Sequence, residues 1–129
     1  MRWLLDSNVW IEAIAGKAAA SNVMLQAAAI EWAGFSAITR LEIFGFPNIT
    51  EKDEAQFLKI LKQFHEVQVS SEIIDEAIRI RKGLRIRIPD ALIAASALTA
   101  RAELVTRNTA DFIHIPGLAV LNPDSLAAR

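Results

Sequence analysis

Short apolar runs alternate with longer helical segments along the chain, and this alternation constrains the fold more than any other feature. Strand-like runs stand at residues 2–5, 35–38, 67–69, 104–106 and 118–121. Strands that alternate with helices favour a mostly parallel sheet covered by helices. The sequence therefore predicts the α/β class, with a central, mostly parallel sheet of four to five strands flanked by helices. Because no repeat, linker or low-complexity segment interrupts the pattern, residues 1–129 are predicted to form one domain.

Capping residues set the predicted helix boundaries. Ser7 or Asn8 is the predicted N-cap of the first helix, and Thr39 is that of the helix after the second strand. Pro89 is typical of the first turn of a helix, which we expect to continue over 90–101. That segment is almost entirely Ala, Leu and Ile, so it is predicted to be buried on most sides.

Composition removes several classes of function. The chain of 129 residues has no cysteine, which excludes disulfides, thiolate metal ligands and cysteine nucleophiles. No apolar run reaches the roughly 18–20 residues that a membrane span needs, and no signal peptide is visible. We therefore expect a soluble, cytoplasmic protein with no membrane partner. The net charge of −1 counts mildly against nucleic-acid binding, whereas the mean hydropathy of +0.28 indicates apolar surface covered in a homo-oligomer or by a partner.

Carboxylates and one amide follow the predicted strands or open the helices after them. Asp6 directly follows the first strand, and Glu42 and Asp90 lie in predicted first helical turns. Asp111 and Asn108 follow a late strand. Ligands of open α/β sheets bind at the carboxyl ends of the strands, so we expect these side chains to meet at one edge. Taken singly, each acid is also explained as a helix cap or by its interaction with a helix dipole.

Several carboxylates in an apolar setting require a compensating charge, because burial and mutual repulsion both disfavour their ionised forms. With oxygen ligands and no cysteine, the expected ion is Mg²⁺ or Mn²⁺. Such a site with spare coordination positions suits phosphodiester hydrolysis, with Ser7 and Asn108 as neutral ligands or phosphate-orienting groups. Neither His65 nor His114 is expected beside the carboxylates, and both are predicted to be ordinary surface or partly buried residues.

Four segments, in order along the chain, resemble the motifs of PIN domains. They are Leu-Leu-Asp-Ser-Asn-Val-Trp-Ile at 4–11, Ser-Ala-Ile-Thr-Arg-Leu-Glu-Ile at 36–43, Ile-Pro-Asp-Ala-Leu-Ile-Ala-Ala-Ser-Ala at 88–97 and Leu-Val-Thr-Arg-Asn-Thr-Ala-Asp-Phe at 104–112. In size and motif style the chain most resembles the VapC-type toxins of toxin–antitoxin modules. The resemblance implies a three-layer PIN-like fold. It also implies a Mg²⁺- or Mn²⁺-dependent endoribonuclease that acts on RNA, forms a homodimer and is inhibited by a cognate antitoxin.

The resemblance further implies roles for individual residues. The expected catalytic positions are Asp6, Glu42, Asp90 and Asp111. The same four residues, together with Asn108, are the expected metal-site residues, because the fourth acid of the family falls at the position of either Asn108 or Asp111. The expected substrate-binding residues are Ser7, Asn8, Arg40, Thr106 and Arg107. Of these, Arg40 or Arg107 is expected to contact the substrate phosphate, since each neighbours a metal-site segment.

Two other groups of residues each have a functional and a structural interpretation. The segment 79–87 contains five basic residues and no acid, and it is either a phosphate-binding rim upstream of Asp90 or a solvated helix face. Four aromatic residues either belong to the core or line a groove for an antitoxin helix. They are Trp10, Phe44, Phe46 and Phe57.

Two alternative functions stay open. The first is a PIN scaffold that binds RNA or a partner protein without cleaving RNA, and the acids found in motif context favour catalysis over it. The second is a receiver-like phosphoacceptor domain, which has adjacent acids after its first strand and a lysine after a late strand. Here a single Asp6 and Arg107 stand at those places, so this alternative ranks last.

Overall fold

A five-stranded, all-parallel sheet forms the centre of the computed structural model, which describes residues 1–127. The strands are β1 (Arg2–Leu5), β2 (Trp32–Ser36), β3 (His65–Val67), β4 (Glu103–Val105) and β5 (Val120–Leu121). Their order across the sheet is β3-β2-β1-β4-β5, so β1 lies in the middle. The predicted α/β class with a central parallel sheet is confirmed.

Helices cover both faces of this sheet. Within residues 1–127 they are α1 (Ser7–Ile14), α2 (Ala18–Ala27), α3 (Ala37–Phe44), α4 (Glu51–Leu61), α5 (Ser71–Gly83), α6 (Ile88–Thr99), α7 (Thr109–Phe112) and α8 (Pro123–Ala127). No helix in this described part of the chain is long and apolar enough to cross a membrane.

The helices pack on the sheet through two apolar cores. Successive side chains of a strand point to opposite faces, so Trp3 and Leu5 enter one core and Leu4 enters the other. The first core is completed mainly by α1, α2, α4 and α8, and the second by α5 and α6. Helix α6 is buried on most sides, as its composition predicts, and Ala94 and Ala95 are fully buried. The result is the expected three-layer arrangement.

The order of the strands identifies the edge where a ligand would bind. Strands β2 and β3 lie on one side of β1, and β4 and β5 lie on the other. The direction of the connections therefore reverses between β1 and β4, and open α/β sheets bind ligands at such a switch point. Asp6 follows β1 and Thr106 follows β4, so both residues lie at this switch point.

The N-cap of α1 differs from the prediction. Asp6, rather than Ser7 or Asn8, is the N-cap residue, and its side chain accepts a hydrogen bond from the Ser7 backbone N–H. The structural interpretation of Asp6 as a helix cap is therefore confirmed. Capping uses only one of its carboxylate oxygens, which leaves the other for contacts across the site.

The predicted start of α3 is wrong by three residues. Ser36 is its N-cap and accepts a hydrogen bond from Ile38 N–H, whereas Thr39 lies inside the helix. Thr39 is fully buried and its hydroxyl contacts Ser7 Oγ, so it does not serve as a cap. As a consequence, Glu42 lies near the end of α3 and gains nothing from the helix N-terminus, contrary to the prediction.

Candidate active site

Asp6 is held at the switch point by neutral hydrogen-bond donors. The residue is only 5% exposed. Its Oδ1 accepts from the Ser7 backbone N–H at 2.8 Å, and its Oδ2 accepts from Thr106 Oγ1 at 2.8 Å and Asn8 Nδ2 at 3.4 Å. Its own backbone N–H donates to Val105 O at 2.9 Å, which joins the start of α1 to the end of β4. This carboxylate is therefore fixed in position before any ligand binds.

A second group of contacts connects α1 to Glu42. The Ser7 hydroxyl donates to Glu42 Oε1 at 2.7 Å and lies 3.0 Å from Thr39 Oγ1. Ser7 thus contacts Asp6 through its backbone and Glu42 through its side chain. The structure brings Glu42 to the same edge as Asp6, although Glu42 itself is exposed.

The turn after β4 is connected to α1 by the remaining polar residues of the network. Asn8 Oδ1 accepts from Arg107 N–H at 3.1 Å, and Thr106 Oγ1 accepts from Asn108 N–H at 3.1 Å. Thr106 is fully buried, so its hydroxyl serves Asp6 and this turn rather than solvent. Three of the expected substrate-binding residues, Ser7, Asn8 and Thr106, are therefore placed around Asp6 itself.

Asp90 approaches the centre from the other face of the sheet. Helix α6 begins at Ile88, with Arg87 as its N-cap residue, so Asp90 lies in the first turn as predicted. Its side chain is 14% exposed, and Oδ2 lies 3.4 Å from Arg87 Nε. The contact with Arg87 is long and the Arg87 side chain is 79% exposed, so it adds little stability.

The pKa of Asp6 shows that these carboxylates act on one another. Burial, and to a smaller extent the negative charges of Glu42 and Asp90, raise it from 3.8 to about 6. The hydrogen bonds from Thr106 and from the Ser7 backbone act in the opposite direction. The neutral donors therefore offset only part of the cost of keeping Asp6 ionised, and a positive charge at the centre would lower its pKa.

Asp111 and Asn108 occupy more peripheral positions. Both are exposed, and Asp111 lies in the short helix α7. Asp111 and Asp90 both line a cavity of about 340 Å³, which is also lined by Arg85 and His114. His114 is exposed, as predicted, but the expectation that it lies away from the carboxylates is wrong. Its position one helical turn beyond Asp111 was the sequence signal that could have placed it here.

The donor set fits a hard divalent cation. Asp6 and Glu42 form no ion pair with a described residue, so the part of the chain covered by the structure supplies no cation to these two carboxylates. Within residues 1–127, no three acidic or histidine side chains converge tightly enough to form a complete ligand cage. Mg²⁺ often uses one or two protein carboxylates and retains several waters, so such a cage is not required. The buried, unpaired Asp6 carboxylate and the adjoining Glu42 carboxylate meet this need.

Arg40 and Arg107 are both paired with acids. Arg107 contacts Glu12 Oε1 at 2.7 Å and Asp124 Oδ2 at 2.6 Å, and these two partners raise its pKa. Arg40 contacts Glu66 through Nε at 2.5 Å and through a terminal nitrogen at 3.1 Å. The side chain of Arg107 is 29% exposed and that of Arg40 is 53% exposed, so Arg40 has the greater access to solvent.

An apolar groove lies beside Glu42 between α1, α3 and α4. Its volume is about 280 Å³, and Ile11, Phe46 and Phe57 are among the residues that line it. Trp10, by contrast, is 1% exposed and packs edge-on against Phe35 in the core. The core interpretation is therefore confirmed for Trp10 and Phe57, and Phe44 packs against that core. Phe46 is exposed and lines the groove, and Phe57 forms part of its floor.

Comparison with known proteins relates this architecture to one family. The sequence model described as PIN domain matches residues 3–118. A search of curated proteins gave no significant match. The family match spans all the segments that carry Asp6, Glu42, Asp90 and Asp111.

Several solved structures resemble the chain over nearly its whole length. A chain of the toxin–antitoxin complex from Klebsiella pneumoniae is 31% identical, with a TM-score of 0.79 and coverage of 93% of this chain and 96% of that one. A chain of VapBC2 from Rickettsia felis bound to a promoter DNA fragment is 25% identical, with a TM-score of 0.82 and coverage of 95% and 98%. FitAcB from Neisseria gonorrhoeae is 26% identical, with a TM-score of 0.73 and coverage of 94% and 97%.

Proposed function

We propose that this chain, which belongs to the PIN domain family, is a Mg²⁺- or Mn²⁺-dependent endoribonuclease and the toxin of a VapBC-type module. Members of this family are typically nucleases. The observation that carries the proposal is the buried Asp6 carboxylate, whose pKa is raised by burial and by the charges of Glu42 and Asp90, and which has no ion-pair partner in residues 1–127. An RNA-cleaving toxin of this kind acts in the cytoplasm.

Each polar residue of the centre has a definite task in this proposal. Asp6, Glu42 and Asp90 would hold the ion, which when bound supplies an activated water and stabilises charge on the phosphate. Ser7, Asn8 and Thr106 orient the Asp6 carboxylate and offset part of the cost of its charge.

The fourth position is a choice between two residues of the segment after β4. Asp111 lines the cavity that contains Asp90, which favours it as the fourth acid. Asn108 is tied through its backbone to Thr106 and offers an amide as a neutral group. Asp111→Asn and Asn108→Ala variants separate these roles by their cleavage rates.

The experiment that tests the proposal is an RNA cleavage assay. Purified protein is incubated with total RNA and with single-stranded DNA, in Mn²⁺ and in EDTA. We expect RNA fragments only with the metal, and we expect no fragments from Asp6→Asn or Asp90→Asn variants whose folding is verified by circular dichroism. Metal-independent cleavage, or full activity of these variants, would reject the proposal. RNA binding without cleavage would instead support the alternative of a scaffold that only binds RNA or protein.

The groove beside Glu42 suits the antitoxin expected in such a module. Its apolar lining accepts residues at helical spacing, and the acids Glu42 and Asp53 at its margin favour a basic residue in the partner. Co-purification with the product of the neighbouring small reading frame tests this assignment. A Phe46→Glu variant should lose the complex and keep RNA cleavage, because Phe46 is 61% exposed and lies outside the core.

Helix α5 presents a surface for the homodimer that the resemblance implies. Ile74 and Ile78 lie one turn apart and are 41% and 48% exposed. Exposed apolar residues at this spacing are typical of a helix that packs on a partner. Sedimentation equilibrium of the wild type and of an Ile78→Glu variant tests the assignment, since we expect a dimer and a monomer respectively.

A further inference from the structure

A cavity that contains two arginines adjoins the carboxylate centre on the side of Asp90. It has a volume of about 340 Å³, and Arg85, Arg87 and His114 line it together with Asp90 and Asp111. A smaller cavity of about 140 Å³ continues from it, and His114 lines both. The larger volume lies within the range of small-molecule sites. Arginine side chains therefore line both cavities.

The arginines of these two cavities differ in whether an acidic residue pairs with them. The Arg85 side chain has no hydrogen bond or ion pair with any residue of the described 1–127 segment, and it is exposed. Arg87 makes only its long contact with Asp90. Arg79, at the far cavity, is paired with Glu76. Arg85 is thus a free cation in a cavity, whereas Arg107 is held by two carboxylates.

The loop between α5 and α6 places these groups. Arg81 Nε donates to Ile86 O at 3.0 Å, so an arginine of α5 fixes the loop that carries Arg85 and Arg87. The loop then leads directly into the first turn of α6, where Asp90 lies. A ligand phosphate beside Arg85 would consequently lie next to the carboxylate centre. An anion is the ligand that unpaired guanidinium groups recognise best.

We infer that this cavity is a nucleotide subsite, in which Arg85 binds an RNA phosphate next to the scissile one and Arg87 and His114 flank the same nucleotide. The inference rests on the proposed nuclease function, because it assigns the site adjoining that same centre. It replaces Arg40 and Arg107 with Arg85 as the principal phosphate contact. Within the basic segment 79–87, the phosphate contact is then assigned to Arg85, which has no partner among the described residues. Arg79 is instead paired with Glu76.

The test compares two charge-removing variants whose residues lie near the two ends of one helix. Arg85→Gln removes the free cation of the cavity. Arg101→Gln removes an exposed arginine just beyond the C-terminal end of α6, roughly 16 Å from Asp90 at 1.5 Å per helical residue. Both variants are made in the Asp6→Asn background, and fluorescence anisotropy measures their binding to a labelled 12-nucleotide RNA of mixed sequence across a salt series.

We expect Arg85→Gln to raise Kd about 10-fold and to lower the slope of log K against log salt by about 1, as the loss of one phosphate contact requires. Arg101→Gln should change Kd less than about 2-fold, and Arg85→Lys should restore most of the affinity. Unchanged binding by Arg85→Gln, an equal loss in Arg101→Gln, or no RNA binding at all would overturn the inference.

Cleavage kinetics keep this inference distinct from the proposed function. In the otherwise wild-type protein, Arg85→Gln should raise KM and leave kcat nearly unchanged, since a flanking contact contributes to ground-state binding. If the wild type cleaves RNA with the same KM as Arg85→Gln, the subsite is wrong and the nuclease stands. If the wild type binds RNA through Arg85 but never cleaves it, the nuclease is wrong and only the contact between Arg85 and an RNA phosphate stands.

Discussion

The two halves of the candidate site are built in opposite ways. Around Asp6 the polar groups are buried, neutral and hydrogen-bonded to one another, and the carboxylate is 5% exposed. Around Asp90 and Asp111 the surface is open, and the nearby arginines are long, exposed and weakly paired. The difference indicates two separate roles. The buried half fixes a carboxylate for the ion, and the open half accommodates a flexible polyanion.

The largest expected effect comes from changing Asp90, which lies where the two halves of the site meet. Asp90→Asn should lower the RNA cleavage rate at least about 1000-fold, equivalent to about 4 kcal/mol of transition-state stabilisation. Asp111→Asn, on the exposed helix α7, should have a much smaller effect. Initial rates in Mn²⁺ measure both variants. Equal losses in the two variants would show that Asp111 belongs to the centre as fully as Asp90 does.

In the absence of metal, the ionised Asp6 carboxylate should destabilise the folded protein. The pKa of Asp6 is about 6 in the folded protein and 3.8 as its ordinary value, so the folded state binds the proton more tightly. The stability associated with protonated Asp6 is fully present below about pH 4 and is lost as pH rises through 6. A shift of this size corresponds to about 3 kcal/mol.

Asp6→Asn removes the charge and therefore isolates this cost. In EDTA at pH 8, the variant should exceed the wild type by about 2–3 kcal/mol in its free energy of unfolding by urea. At pH 5 the gap should shrink, because most of the wild-type Asp6 is then protonated. A wild type that is the more stable protein at pH 8 in EDTA would contradict this expectation.

Much of this site follows from sequence patterns. Asp6 and Asp90 could be predicted because each adjoins a strongly apolar segment whose period and ends are clear. The start of α3 cannot be predicted from the sequence in the same way, because Ser36 and Thr39 both have hydroxyl side chains that can cap a helix. Only the packing decides between them, since Thr39 is fully buried against Ser7 and leaves Ser36 to cap.

The charged residues show where sequence patterns stop being informative. Neither the pairing of Arg107 with Glu12 and Asp124 nor the free state of Arg85 can be derived from spacing, because the partners come from distant parts of the chain. His114 differs from these arginines, because it follows Asp111 by three residues and this spacing could have placed both beside one cavity.

A smaller effect is expected from the donors that hold Asp6. Thr106→Val keeps the shape of the side chain and removes the 2.8 Å hydrogen bond to Asp6 Oδ2. Loss of a group that orients a metal-binding residue should weaken Mn²⁺ binding about 10–100-fold. Ser96→Ala removes a buried hydroxyl that donates to Leu92 O rather than to a carboxylate, and it provides the control. Equal Mn²⁺ affinities for Thr106→Val and the wild type would show that the Thr106 hydroxyl does not contribute to metal binding.

The smallest effect should come from Arg107. Because its guanidinium joins α1 to the segment of Asp124, Arg107→Gln should lower the free energy of unfolding by about 1 kcal/mol, given that the pairs are partly exposed. Its RNA affinity should stay within about 2-fold of the wild type, in contrast to Arg85→Gln. A large loss of RNA affinity with unchanged stability would show instead that Arg107 contacts the substrate.

Calorimetric titration of the purified protein with Mn²⁺ tests the central claim most directly, because the claim is that the Asp6, Glu42 and Asp90 carboxylates hold a divalent cation. The control is Asp75→Asn, which removes an exposed carboxylate of α5. We predict saturable binding by the wild type and by Asp75→Asn, and affinity at least about 10-fold weaker in Asp6→Asn. Mn²⁺ binding by Asp6→Asn that equals that of the wild type would contradict the account.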